Sequence, residues 1–276
     1  SYSVELIVFD LDGTLLDRRS EVSAHTRQTL ALLRSRGVAY TVATGRTLHG
    51  ARDLLAEHDF KLPHIYKNGV MIWHPQRDAF SHRNLLTLDE IRAVLEAFRS
   101  AGVSPFIFTL DEHDNHAVYH PPQLNATEQR LVRIFGSDRG LAVLPLAQMP
   151  GYADISNISA IGEAGAIARI QELIRDQDHL VAYGGEAIEG EGLHWLDIHH
   201  SAASKGGAIE QLKHDLGVSR IICFGDSDND LSMFEVADEC YAPSNAKASV
   251  REAATAVIGH HDADGISLFL RERFKL

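Results

Sequence analysis

The sequence predicts an α/β protein: a Rossmann-like core of parallel strands with an α+β domain inserted into it. Three observations carry that prediction. The first is an apolar run, Val4-Glu5-Leu6-Ile7-Val8-Phe9, that stops at Asp10, Asp12 and the turn Gly13-Thr14. A run rich in β-branched and aromatic residues reads as a buried strand. The second is a strand–helix rhythm at both ends of the chain, which implies a mostly parallel sheet covered on both faces. The third is a middle stretch of different texture, residues 84–196, between two halves of a core at 1–83 and 197–276.

Taken in order, residues 22–36 place Val22, Leu30 and Leu33 among polar residues and stop at Gly37, a helix with its terminator. Val38–Ala43 is a second strand ending at Thr44-Gly45-Arg46, and a helix is expected over 47–58. Ile65-Tyr66 leads to the turn Asn68-Gly69 and then to Val70–Trp73. In the middle stretch a helix is expected over 88–101 (Leu88, Ile91, Val94, Leu95, Phe98). A strand at Pro105–Phe108, loop-forming Pro121-Pro122 and a second helix over 164–176 follow. The rhythm returns with a helix near 205–216, the strand Arg220–Phe224, and Gly225-Asp226.

With 276 residues the chain is comfortable for two domains, and 45% apolar with 23% charged residues is ordinary for a soluble globular protein. No apolar stretch is long enough to span a bilayer, and no signal-peptide pattern opens the sequence. Cys223 and Cys240 form neither a disulfide framework nor a zinc motif, and Cys223 reads as core. A reducing cytoplasm and a monomer or weak homo-oligomer are the expectations. The sixteen histidines include the pairs His199/His200 and His260/His261, but no His-Glu-x-x-His pattern, and read as surface residues. A net charge of −12 speaks against nucleic-acid binding and makes a polyanionic substrate awkward unless a local cation site exists.

Such a site is suggested by what falls at strand ends. Asp10 and Asp12 end the first strand, and alternate residues of an extended segment point the same way. Thr44 ends the second strand, Asp226 a late one, and Lys205 opens a helix in Ser204-Lys205-Gly206. In an open parallel sheet the carboxyl ends converge, and ligands bind there. Acidic oxygens gathered in this way suit Mg²⁺, and a lysine with a threonine hydroxyl suits a dianion such as phosphate. Singly, each piece also reads as a solvated turn or a surface lysine. Their joint occurrence in this order argues against that.

The motifs Asp10-Leu-Asp12-Gly-Thr14, Thr44-Gly-Arg46, Ser204-Lys205-Gly206 and Gly225-Asp226-Ser-Asp-Asn229-Asp230 resemble those of the haloacid dehalogenase superfamily. Within it the chain is similar to the Cof-type, sugar-phosphatase-like branch with a large α/β cap. Further likeness lies in Asn68-Gly69, Leu196-Asp197-Ile198, Ser244-Asn245-Ala246 and Asp264-Gly265-Ile266; the cap matches in position and size only.

The resemblance implies that Asp10 is a nucleophile forming an aspartyl-phosphate. Asp12 is then the acid for the leaving group and later the base for water. A free Asp titrates near ~3.9, so Asp12 is expected to be raised by nearby Asp10 and by shielding under the cap. Mg²⁺ is implied at Asp10, Asp226 and the backbone carbonyl of Asp12, with Asp230, and Asn229 close by, orienting the metal's waters and Lys205. Thr44, Gly45, Lys205 and Asn229 are the implied substrate contacts. Arg46 is expected to brace its loop. Asn68 and Asn245 are open between a turn role and substrate contact. Residues in 184–186 and 191–194 of the cap are open between substrate choice and plain solvent-facing turns.

The implied function is a Mg²⁺-dependent phosphatase of small phosphorylated metabolites, sugar phosphates or related monoesters. A phosphomutase and a phospho-accepting regulatory module are the alternatives. In dehalogenating relatives the position of Asp12 lacks an acid, so Asp12 favours phosphoryl transfer. No Gly-x-x-x-x-Gly-Lys-Ser/Thr string supports a P-loop NTPase.

Overall fold

The computed structural model describes residues 4–113, 115–138 and 141–276. The chain divides into two compact units: one runs to Arg83 and resumes at Ala202–Leu276, and Asn84–Ser201 forms the other. The first half of the core comprises β1 (Glu5–Phe9), α1 (Ala24–Ser35), β2 (Ala39–Val42), α2 (Leu48–Glu57), β3 (His64–Tyr66), β4 (Met71–His74) and β5 (Ala79–Arg83). The inserted unit holds α3 (Arg92–Ala101), β6 (Phe106–Leu110), β7 (His116–His120), α4 (Ala126–Arg133), β8 (Ala142–Pro145), β9 (Ile155–Glu163), α5 (Ala164–Ile174), β10 (Leu180–Glu186) and β11 (Leu193–His200). The core then continues with α6 (Lys205–Leu216), β12 (Arg220–Phe224), α7 (Leu231–Val236), β13 (Glu239–Pro243), α8 (Ala248–Ala253), β14 (Ala256–Ile258) and α9 (Gly265–Arg273).

The core sheet has the order β14-β13-β12-β1-β2, and every pair in it is parallel. β1 lies between strands from opposite ends of the chain, so the motif loops of both halves gather at one edge. Leu6 to Phe9 are wholly buried, as a strand covered on both faces must be. On one face Leu6, Val8, Ile221 and Cys223 pack against Ile209 and Leu212 of α6, Met233 of α7 and Val250 of α8. The other face is aromatic: Tyr40, Phe9, Phe224, Tyr241 and Phe269 follow one another in tilted ring contacts. Burying such side chains contributes about 1.5–3 kcal/mol each. Cys223 is core, as its strand pattern predicts.

The inserted unit is a sheet of order β10-β11-β9-β6-β7-β8, antiparallel except for β7 and β8. Its main core joins Ile158, Ala160, Leu196 and Ile198 to Val94 and Phe98 of α3 and Ile167 and Ile170 of α5. The chain returns to the core unit at Ala202 rather than at residue 197. The reason is β11, whose pairing with β10 continues through His200, so Leu196-Asp197-Ile198 belongs to the inserted sheet. Histidines are less uniformly superficial than the sequence suggests: His58, His64 and His199 are buried. Among the described residues no helix is long and apolar enough to cross a membrane.

Candidate active site

The end of β1 is fixed by the Asp10 N–H, which donates to the Phe224 carbonyl at 2.9 Å. A wide turn follows, closed by Leu15 N–H to Asp10 O (3.3 Å) and Leu16 N–H to Leu11 O (3.0 Å). Gly13 takes φ of 76° there, and a Cβ in its place would run into the Asp226 carboxylate. Only glycine satisfies both demands.

The turn leaves Asp10 buried, with Oδ1 accepting from Lys205 Nζ at 2.9 Å. The same ammonium donates to Asp230 Oδ1 at 2.6 Å. Thr14 Oγ1 stands between two further oxygens, 3.2 Å from Asp10 Oδ2 and 3.1 Å from Asp226 Oδ1. Asp10, Asp226 and Asp230 each offer an oxygen within 4.8 Å of the others.

Local chemistry explains each position. Ser204 caps α6, its hydroxyl accepting from Gly207 N–H at 2.9 Å, which starts the helix at Lys205. Gly206 lets α6 approach α7: its N–H donates to Ser232 Oγ at 3.1 Å, and a Cβ there would strike the Ser232 carbonyl. Asp230 is held by a capping box with Ser227, and its Oδ2 accepts from the Asp226 and Ser227 N–H groups at 2.9 and 3.1 Å. Both Asp230 oxygens therefore already have donors, which suits it to aim Lys205 and the loop of Asp226.

One ammonium serves this buried group, and that deficit of positive charge sets its electrostatics. Burial pushes the Asp10 carboxyl up to about 7, against the pull of Lys205 and with the help of Asp226, whose carboxylate shares a hydrogen bond with it. Burial and the charge of Asp10 push Asp230 up to about 6. Burial works against the Lys205 charge, but Asp10 and Asp230 outweigh it and raise the ammonium above its ordinary range. A site built wholly of hard oxygens, short of positive charge and otherwise closed by a proton, fits a small divalent cation such as Mg²⁺.

Asp12 lies beside a cation. Its carboxylate is half exposed and takes a bidentate pair from Arg46, Nε to Oδ2 at 2.8 Å and Nη2 to Oδ1 at 2.7 Å. Within its own unit a guanidinium is its neighbour, because the Thr44-Gly45-Arg46 loop turns Arg46 toward it. Arg46 Nη1 is tied in turn to the Gly50 carbonyl at 3.0 Å. Thr44 is buried, its Oγ1 accepting from Arg46 N–H at 3.0 Å, so it shapes the loop that aims Arg46. Gly45 lies against Asn68, which accepts from Asn229 Nδ2 at 2.8 Å through its Oδ1. Asn229 is thus joined to the Thr44 loop, while Asp10, Asp226, Asp230 and Lys205 form the cluster proper. Sequence reasoning assigned no role to Thr14, although it lies four residues after Asp10; that spacing on a wide turn was the available signal.

The haloacid dehalogenase-like hydrolase family matches residues 7–270 of the chain. The chain is 26% identical to the 5-amino-6-(5-phospho-D-ribitylamino)uracil phosphatase YitU of Bacillus subtilis, covering 98% of both chains. It is 25% identical to the pyridoxal phosphate phosphatase YbhA of Escherichia coli, covering 97% of this chain and 98% of that one. Among solved structures, a subclass IIB sugar phosphatase of the same superfamily shares the fold with a TM-score of 0.75 at 20% identity, covering 99% of each chain. With a match that spans both halves of the core and the unit between them, this chain belongs to the haloacid dehalogenase-like hydrolase family.

Proposed function

We propose that the chain is a Mg²⁺-dependent phosphatase that hydrolyses small phosphorylated metabolites through an aspartyl-phosphate on Asp10. Phosphatase activity on a small phosphorylated compound is what the names of YitU and YbhA have in common; the dependence on Mg²⁺ and the class of substrate are the finer reading. The observation that carries it is the Asp10 carboxylate, held at Oδ1 by Lys205 and at Oδ2 by Thr14, whose hydroxyl also reaches Asp226. A carboxylate held in one orientation has given up the rotational freedom that attack at phosphorus would otherwise cost.

In the first step an Asp10 oxygen attacks phosphorus, a P–O bond forms to the carboxylate, and the ester P–O bond breaks. Asp12, once released from the Arg46 pair and protonated from solvent, donates that proton to the departing alkoxide. In the second step water attacks the aspartyl-phosphate, Asp12 takes its proton, and phosphate leaves with Asp10 restored. Lys205 neutralises charge that grows on the phosphoryl oxygens, the largest part of catalysis in phosphoryl transfer. Asp10 and Asp226, with Asp230 behind them, would hold Mg²⁺, which supplies further charge neutralisation at the phosphoryl group. Arg46 pairs with Asp12 in the resting site and keeps its carboxylate in one orientation. Sugar phosphates and related monoesters are the proposed substrates, in line with a subclass IIB sugar phosphatase of the same fold.

The test is phosphate release from a panel of small phosphomonoesters, with Mg²⁺ and with chelator, beside Asp10→Asn. Metal-dependent release lost in the variant is the expected result. Turnover by Asp10→Asn would overturn the assignment of the nucleophile, and release undiminished by chelator would remove the metal.

A further inference from the structure

Four strand ends of the core carry the motif loops or their supports, but the turn after β13 has no part in the chemistry proposed above. Its contacts give it another. Asn245 Nδ2 donates to the Gly13 carbonyl at 2.9 Å, in the loop that follows the nucleophile. Asn245 Oδ1 accepts from the His261 N–H at 3.0 Å. Gly13 offers only an acceptor and the His261 backbone only a donor, so the two partners fix which way the carboxamide points. Two residues on, the Lys247 N–H donates to the Asp226 carbonyl at 3.0 Å. The turn itself is closed by Ala246 N–H to Pro243 O at 2.9 Å. His261, anchored through Nδ1 to the Leu16 carbonyl at 2.8 Å, supports the far end of the same nucleophile loop.

One short turn thus grips the loop of Asp10 and Asp12 with a side chain and the loop of Asp226 with its backbone. These are the two loops whose carboxylates repel one another across Thr14. We propose that Asn245 is a positioning residue that holds the Asp10–Asp12 loop at a set distance from the Asp226 loop, and that it thereby sets the affinity of the site for a divalent cation. The inference rests on the metal reading of that site. Its side chain bonds the Gly13 carbonyl and the His261 N–H, and through the first it fixes the Gly13–Thr14 peptide in the turn that carries Asp12. Partners one shell removed from a metal commonly contribute a factor of 10–100 to its affinity.

The experiment is titration of the full chain with Mn²⁺, followed by electron paramagnetic resonance, for the unaltered protein and for Asn245→Ala. Asn245→Leu, which keeps most of the side-chain volume, serves if the Ala variant does not fold. The metal-free melting temperature of each is measured alongside. The expected result is Mn²⁺ binding weakened about tenfold or more, with a metal-free melting temperature close to that of the parent. An unchanged Mn²⁺ affinity with a lowered melting temperature makes Asn245 a plain structural residue and overturns the proposal. Absence of Mn²⁺ binding by the unaltered chain overturns the metal reading of the site as well, which separates the two failures.

Discussion

At the scale of single residues, the cluster is governed by one cation shared among buried carboxylates. Lys205 touches Asp10 and Asp230 and leaves Asp226 with hydroxyls for partners. Both shifted carboxyls keep in the folded state a proton that the unfolded chain releases near 3.8; Asp10 keeps it to about 7 and Asp230 to about 6. The folded state then binds more protons than the unfolded state across that window, so these groups make stability fall as pH rises through it. A bound cation replaces the proton and cancels the loss. Mg²⁺ should therefore raise the melting temperature clearly at pH 8 and little at pH 5, where protons compete. Equal shifts at the two values would contradict the charge deficit at Asp10. Asp12 poses a separate question of aim. Arg46→Ala releases its carboxylate from a bidentate pair, and turnover should drop about ten- to a hundredfold, as a misplaced acid allows. Arg46→Lys should recover little, since an ammonium cannot make the paired contact. Steady-state rates on one small phosphomonoester decide it, and full activity in the Lys variant would refute the positioning role.

At the scale of elements, the motif helix α6 owes its placement to residues that do no chemistry. Ser204 starts it, and Gly206 lets its first turn rest on the backbone of α7. Gly206→Ala should force that turn away from Ser232, at about 1–3 kcal/mol of stability from overpacking. Because Lys205 is the preceding residue, turnover should fall by more than stability alone explains. Denaturant unfolding and rates measured on the same folded sample separate the two effects. Most of these elements could be read from the sequence. The strand runs and the 3.6-residue spacing of Leu30 and Leu33 depend on short-range pattern, so α1, α6 and β12 fall where periodicity puts them. β11 was harder, because Leu196 to His199 alternate between apolar and polar residues. That pattern fits a strand of either unit, and only its pairing partners decide which.

At the scale of the whole molecule, the two units have separate cores. The inserted unit packs Ile158, Leu196 and Ile198 under α3 and α5, and Phe106, Phe108 and Phe135 on the other side of its sheet. A unit with its own core is expected to fold alone. Residues 84–201 expressed by themselves should unfold cooperatively on heating. Residues 84–196 should be markedly less stable, because they lose Asp197 to His200 and with them Ile198 and half the pairing of β11. Calorimetry on both fragments tests this; equal stability would show that the end of β11 adds nothing to the unit.

The sequence by itself determined the fold class, the strand ends at which the acids stand, the helix start that carries the lysine, and the family. Those features are written in local pattern and short motifs, which survive without knowledge of neighbours. Tertiary structure alone decided what each acid is bonded to. Asp230 is spent on Lys205 and two backbone N–H groups, Asp12 is drawn to Arg46, Thr14 comes between Asp10 and Asp226, and Asn245 reaches the loop of Gly13. Each of these partnerships, save that of Thr14 with Asp10 and those within the Asp226 loop, joins residues far apart in the chain. The physical reason is that a parallel sheet brings distant strand ends together, so the partners follow from strand order rather than from spacing in the sequence.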